Sequence, residues 1–387
     1  MGLEAGLATR PLRVGLNLVF LVEGSAGAGR YVTELLPSLL TIAPETRITA
    51  FVNREAPESL FSAPWSGEVD WVRLPVTIRT PLHLAAQAGV LPLAALRKRL
   101  DVLHSPANGG PPVTPGTARV ITLLDLIWLH QQEAWDSPRA VRTLALLSRI
   151  SARTAHRVIT ISSSARDDLV AHFDVPPEKV DVAPLGVRVP DRAEAAPDLR
   201  ARLELGADPL VLCVAQKRPY KNIGALIHAI ADLADEPARL VLPGASTPHE
   251  AELRALAEQL GVASRVRFLD WISEADLDGL YREATCFVLP SLIEGFGLPV
   301  LEAMARDLPV ACSNRPSLPE VAGDAALQFD PEDQTAVSTA LRHLLTDGVL
   351  RAELVARGRE RARLFTWERT AEATLASYRR AVEARSG

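Results

Sequence analysis

Short apolar runs alternate with longer amphipathic segments along most of this chain, and the alternation occurs twice. The first half carries runs at Val14–Phe20, Arg47–Val52, Val102–His104, Val120–Leu124 and Val158–Ile161. The second carries them at Leu210–Ala215, Arg239–Leu242, Val266–Leu269, Cys286–Leu289 and Pro309–Cys312. Helical patterns lie between them, among them Tyr31–Leu40, Arg139–Ala155, Ser164–His172, Ile223–Leu233, Glu250–Leu260 and Leu277–Glu283. A short apolar run fits a strand covered on both faces, and strands separated by helices pair in parallel. The expected fold class is α/β, with two doubly wound parallel sheets. The interruption is Gly186–Asp208, which holds Pro190, Pro197 and several charges but no long apolar run, and reads as the linker. It divides the chain into an N-terminal domain at 1–188 and a C-terminal domain at 189–364. From Asp333 to Gly387 the pattern is almost wholly helical. Doubly wound domains bind ligands at the carboxyl ends of their strands, so the expected active site is a central cleft that the two domains face.

A chain of 387 residues fits two domains, and 48 % hydrophobic residues suffice for two packed cores. A net charge of −5 lacks the basic footprint of a nucleic-acid binder. Cys213, Cys286 and Cys312 each lie inside an apolar run and read as buried free thiols in a reducing compartment. No Cys/His cluster at metal-ligand spacing is evident in the sequence, and no apolar stretch approaches the roughly 20 residues that span a bilayer. The first ten residues lack the pattern of a secretory signal, so the expected location is cytoplasmic.

The chemistry concentrates at residues 290–302, Pro-Ser-Leu-Ile-Glu-Gly-Phe-Gly-Leu-Pro-Val-Leu-Glu. Glu294 and Glu302 bracket a Gly-x-Gly turn that follows the run Cys286–Leu289. Pro299 suits the first turn of a helix, where its missing N–H is no loss. The N–H groups of Phe296, Gly297 and Leu298 then sit at a helix start, where anions bind. Amides alone suit phosphate; a carboxylate on each side adds hydroxyl recognition, which means a sugar, a ribose or both.

This stretch resembles the glutamate–seven residues–glutamate signature of the retaining glycosyltransferases of family 4. The continuation Glu302-Ala-Met-Ala, Leu308-Pro-Val and Ser317-Leu-Pro-Glu-Val-Ala-Gly-Asp-Ala-Ala is similar to the same family, as is Ala155-His-Arg-Val-Ile-Thr-Ile-Ser-Ser-Ser-Ala-Arg-Asp-Asp-Leu. Val214-Ala-Gln-Lys-Arg-Pro-Tyr-Lys-Asn resembles the family's glycine-x-x-x-x-proline-x-lysine-asparagine loop, with Ala215 in the glycine's place. The resemblance covers roughly residues 13–383. It implies the B-type glycosyltransferase fold, with Rossmann-like domains: the N-terminal one takes the acceptor and the C-terminal one holds a nucleoside-diphosphate sugar. It also implies that the final helix, Phe365–Ala384, crosses back onto the first domain.

On this resemblance the catalytic residues are Glu294, Lys221 and Arg218. Lys221 matches the family lysine; spacing allows either Lys217 or Arg218 as the second cation, and the forked donors of Arg218 favour it. These cations would stabilise the charge that grows on the leaving diphosphate. Lys217 is kept among the donor-binding residues, with Phe296, Gly297, Leu298 and Glu302, the last on the donor ribose. Trp271 and Ile272 lie where the base would meet backbone groups. The glycine loop Glu23-Gly-Ser-Ala-Gly-Ala-Gly-Arg-Tyr precedes the expected helix Tyr31–Leu40, and Gly27 and Gly29 would allow the donor's diphosphate and sugar to come close. His104, at a strand end, and Asp125 are candidate acceptor or sugar contacts, although a lone strand-end histidine is more often structural. Leu124 stands where the family commonly has histidine.

No cofactor or metal is expected. Asp276-Leu-Asp278 is nominally a metal-binding pair, but it follows Ser273 in a helix-capping pattern. The segment from Ser137 to Ala165 holds Arg139, Arg142, Arg149, Arg153 and Arg157 with no acidic residue. Val141, Leu144, Leu147 and Ile150 have core spacing there, which favours a solvated helix face over a surface for anionic lipid or a phosphorylated acceptor. The expected function is metal-independent, retaining sugar transfer by a front-face mechanism to a small-molecule, saccharide or lipid-linked acceptor. The alternatives are a non-catalytic protein of the same fold that binds sugar nucleotides, and a nucleotide-sugar epimerase.

Overall fold

The computed structural model describes residues 11–77, 86–131, 137–188 and 198–386. In chain order the elements that position the site are β1 (Arg13–Leu18), α1 (Ala26–Ile42), β2 (Arg47–Val52), β3 (Val69–Arg73), β4 (Val102–Ser105), β5 (Ala118–Thr122), α2 (Ile127–His130), α3 (Pro138–Thr154), β6 (Arg157–Thr160), α4 (Ser163–Phe173) and β7 (Val180–Val182). They continue with β8 (Leu210–Leu212), α5 (Ile223–Asp232), β9 (Arg239–Leu242), β10 (Val266–Phe268), α6 (Glu274–Glu283), β11 (Cys286–Leu289), α7 (Leu298–Met304), β12 (Val310–Ser313), α8 (Leu318–Ala322), β13 (Ala326–Phe329) and α9 (Trp367–Ser386).

The chain divides into two compact units. One is Met1–Gly186 with Trp367–Gly387, and the other is Val187–Thr366. The prolines expected to mark the linker, Pro190 and Pro197, lie outside the described residues.

The first unit is built on a seven-stranded sheet in the order β3-β2-β1-β4-β5-β6-β7, parallel throughout. Strand order reverses between β1 and β4, the place where doubly wound sheets open a crevice at their carboxyl ends. Val14, Leu18, Val102 and Val158 are fully buried, as a two-faced strand requires. The helix α9 belongs to this unit: Thr370 Oγ1 donates to the Pro184 carbonyl at 2.6 Å, and Trp367 meets Tyr31 at 6.4 Å between ring centroids.

The second unit has a six-stranded parallel sheet in the order β10-β9-β8-β11-β12-β13. Its reversal lies between β8 and β11. Leu226, Ile230, Leu240, Phe287, Val288 and Leu341 are fully buried there. Cys213, Cys286 and Cys312 are buried free thiols, and burial pushes the pKa of each up to about 12.

Three differences from the sequence reading have physical reasons. Strands β3, β7 and β13 were not expected; each is an edge strand, only partly buried, and so lacks a continuous apolar run. The helix expected from Tyr31 begins at Ala26, because the glycines that lower helix propensity fall in its first turn. In α3, Val141 and Ala152 are buried whereas Ile150 is exposed, so the core face turns through Ser148 and Ala152 rather than Ile150. The arginines beyond it are partly spent on Asp174, which pairs with Arg149 and Arg153, and on Asp181, which pairs with Arg157. Among the described residues no helix is long and apolar enough to cross a membrane.

Candidate active site

Two loops leave the carboxyl ends of β8 and β11, on either side of the strand-order reversal in the second unit. The first runs through Lys217 and Arg218 into a single helical turn, Pro219–Lys221. Asn222 then takes a left-handed conformation, φ 53°, and its side chain donates to the Pro331 carbonyl at 2.8 Å before α5 begins. The second runs from Pro290 to Gly297. A backbone bond from Leu292 N to the Tyr220 carbonyl, 2.8 Å, ties the two loops together.

Across this junction Lys221 Nζ lies 2.6 Å from Glu294 Oε1. The Ser291 hydroxyl donates to the same oxygen at 2.7 Å, and Ser317 Oγ donates to the Glu294 carbonyl at 3.2 Å. Only 15 % of the Lys221 side chain and 8 % of that of Glu294 reach solvent, so the pair sits in a poorly screened place. Burial alone would lower the Lys221 pKa. The Glu294 carboxylate, with Tyr220 beside it, reverses this and holds the ammonium above the usual lysine value.

The turn after Glu294 is set by Gly297. It has φ of +100°, a conformation that favours glycine, and a Cβ there would press on Leu318 Cδ2 of α8, which would have to shift. Phe296 beside it is 5 % exposed and packs edge-on to Phe365 at 5.9 Å. Helix α7 starts at Leu298 with Pro299 in its first turn. Among the described residues, the N–H groups of Phe296, Gly297 and Leu298 are given to no protein acceptor.

Glu302 lies on α7, 4 % exposed, and accepts a hydrogen bond from Tyr281 Oη on α6 at 3.0 Å. Arg306 lies over the Tyr281 ring at 4.9 Å and donates to Asp278 Oδ1 at 2.7 Å. Asp278 also accepts from Arg282, and Asp276 pairs with Arg202. Ser273 caps α6 by accepting from the Asp276 N–H at 3.1 Å. The two aspartates therefore sit in a capped helix and pair with Arg202, Arg282 and Arg306.

Lys217 departs from its expected place among the donor-binding residues. It is 0 % exposed, and its ammonium donates to the carbonyls of Gly244 and Leu269. It joins the loops that follow β8, β9 and β10, and burial lowers its pKa. Gly244 has φ of +137° and a Cβ there would overlap the Ala215 carbonyl, so the close backbone approach at this loop uses Gly244. Arg218 is half-buried, with Nε 3.1 Å from Gln216 Oε1. Trp271 is 74 % exposed on the loop after β10, next to Ile272.

In the first unit, Gly27 and Gly29 lie in the first turn of α1 rather than in the loop before it; a Cβ on Gly27 would meet open space. His104 is a core residue and not a ligand contact. It is fully buried in β4, with Nδ1 2.8 Å from Tyr378 Oη and Nε2 2.7 Å from Thr122 Oγ1, and burial lowers its pKa to about 3. Asp125 is half-buried and accepts from the N–H of Ile127, the first residue of α2, at 3.1 Å. Ser291, Ser317, Tyr281 and Gly244 were missed from sequence. Ser291 alone had a local signal, three residues before Glu294; the others reach their partners only through the fold.

The strand-order reversal of the second unit is flanked by a buried cation–carboxylate pair and a glycine-gated helix start, on the B-type glycosyltransferase fold. An Anabaena protein, HepE, solved in complex with UDP-glucose, has this fold with a TM-score of 0.74 at 16 % identity, over 95 % of this chain and 100 % of that one. The model for Glycosyltransferase Family 4 matches residues 25–189, and that for Glycosyl transferases group 1 matches 196–361. The O-antigen chain mannosyltransferase B of Escherichia coli is 34 % identical over 233 residues, 58 % of this chain and 61 % of that protein, so the chain spans less than two thirds of this relative's length. The MMP alpha-(1->4)-mannosyltransferase of Mycolicibacterium hassiacum is 31 % identical over 307 residues, 75 % of this chain and 73 % of that protein. The chain belongs to the group 1 glycosyltransferases.

Proposed function

We propose that this protein is a retaining glycosyltransferase that moves a hexosyl group from a nucleoside-diphosphate sugar to a saccharide or lipid-linked acceptor, without a metal at the diphosphate. The single observation that carries this reading is the buried Lys221–Glu294 pair at the strand-order reversal of the second unit. As the glycosidic bond breaks, charge accumulates on the distal phosphate of the leaving group. Lys221, Arg218 and the amides of Phe296, Gly297 and Leu298 stabilise that charge more than they stabilise the ground state. Glu294 directly precedes the amide turn and is shared with Lys221 and Ser291, which suits a hydrogen bond to sugar hydroxyls better than attack from beneath the ring. The leaving phosphate itself takes the acceptor's proton on the face it departs from. Glu302 holds the ribose, and the base lies along the loop at Trp271 and Ile272. Asp125 is kept as a sugar or acceptor contact.

The names of the two relatives make a mannosyl donor the first to try. The deciding experiment is donor hydrolysis in the absence of acceptor. Slow release of nucleoside diphosphate that disappears in Glu294→Ala supports catalysis. Leu124, in place of the family histidine, favours a second reading, a sugar-nucleotide binder without turnover. Tight binding of the donor with no hydrolysis and no transfer would select it.

A further inference from the structure

His130 ends the short helix α2, and Asp168 and His172 stand four residues apart on one face of α4. One ring nitrogen of each histidine and one carboxylate oxygen lie within 4.8 Å of one another. His130 Nε2 is 2.7 Å from Asp168 Oδ2, and His172 Nδ1 is 3.7 Å from Asp168 Oδ1. The imidazoles meet edge to face at 4.9 Å. Among the described residues no other group of three such side chains converges, and Asp168 is paired there with these imidazoles rather than with arginine or lysine.

We propose that His130, Asp168 and His172 form a surface site for a divalent transition ion of the zinc class, which ties the end of α2 to α4 and leaves a fourth position for water. Two imidazoles with one carboxylate are a borderline donor set: it suits zinc, cobalt or nickel and disfavours magnesium and calcium, which take oxygen ligands. Zinc bonds nitrogen and carboxylate oxygen at roughly 2.0–2.2 Å, which sets tetrahedral donors about 3.3 Å apart. The two nitrogen–oxygen separations, made to different oxygens of Asp168, bracket that value, and rotations of three side chains that all reach solvent bring the donors onto one ion. On binding the ion, His172 Nδ1 exchanges its 3.0 Å contact with the Asp168 carbonyl for the metal. The site brings together residues 38 apart in sequence. It braces the segment that begins where Asp125 accepts from the Ile127 N–H. It is separate from the diphosphate chemistry and does not depend on the proposed function.

The test uses the full chain without an affinity tag, stripped with chelator and titrated with zinc by calorimetry and with cobalt by visible absorption. One ion per chain is expected, together with a cobalt ligand-field band and a higher melting temperature in zinc. His130→Ala and His172→Ala should each weaken affinity by about 100-fold or more, at or beyond the upper effect of removing an outer-sphere partner. His249→Ala, which removes a half-buried imidazole paired with the Glu252 carboxylate, should leave affinity unchanged. All three positions are solvent-accessible, and Asp168→Asn with both rings intact provides a further variant, expected to lose the cobalt band. No zinc binding, binding unaltered in His130→Ala and His172→Ala, or equal binding of magnesium would each overturn the proposal.

Discussion

Lys221 carries its charge where water reaches little of it, and Glu294 is what makes that tolerable. Removing one member of such a pair leaves the other buried and uncompensated, which costs about 3–5 kcal/mol, whereas removing both costs less. Lys221→Met should therefore lower the urea midpoint more than Lys221→Met with Glu294→Gln. Equal midpoints for the two would show that the pair is not coupled. In the proposed reaction the cation acts on the leaving group, so Lys221→Ala should lower kcat on the order of 10²–10³. His104 makes a different prediction. Its pKa is lowered by burial to about 3 in the fold, against 6.5 for the ordinary group. The unfolded chain then binds one more proton between these values, so stability is complete above about pH 6.5 and declines as pH falls toward 3. The slope from this one group is about 1.4 kcal/mol per pH unit. Denaturant titrations at pH 7 and pH 5 should show a smaller loss in His104→Gln than in the wild type, and an equal loss would contradict the burial argument.

Among the elements, α7 depends on what precedes it. Its entry glycine has φ of +100° against the side chain of Leu318, so Gly297→Ala should cost about 1–3 kcal/mol and weaken donor binding with it. Calorimetry and a melting curve on the same sample check both; unchanged affinity at lowered stability would separate the turn from the ligand. On the same helix, Glu302→Ala should weaken the donor by about ten-fold or more, since a hydrogen bond to a charged group contributes roughly 1.5–3 kcal/mol. Tyr281→Phe removes only the bond that orients Glu302 and should cost less. Helix α7 was readable because its glycine turn, proline and glutamates are local. The early start of α1 was not, since Gly27 and Gly29 lower helix propensity in its first turn.

At the scale of the whole molecule, the proposed reaction is decided by its stereochemistry. Proton NMR of the product should show the donor's anomeric configuration retained, and mass spectrometry of enzyme trapped with a fluorinated donor should find no sugar on Glu294. Inversion would reject the family mechanism, and an adduct would make Glu294 the nucleophile. The sequence by itself determined the two α/β units and membership of the group 1 glycosyltransferases, because apolar periodicity and short motifs are written in contiguous residues. Only the tertiary structure decided that Lys217 is spent on the carbonyls of Gly244 and Leu269 while Lys221 meets Glu294. Both lysines stand in one loop, and nothing local says which of them points into the core. The same holds for the edge strands and for His104, whose partner Tyr378 lies 274 residues away. Burial and pairing are properties of packing between distant segments, and a side chain's chemistry follows from the neighbours that packing gives it.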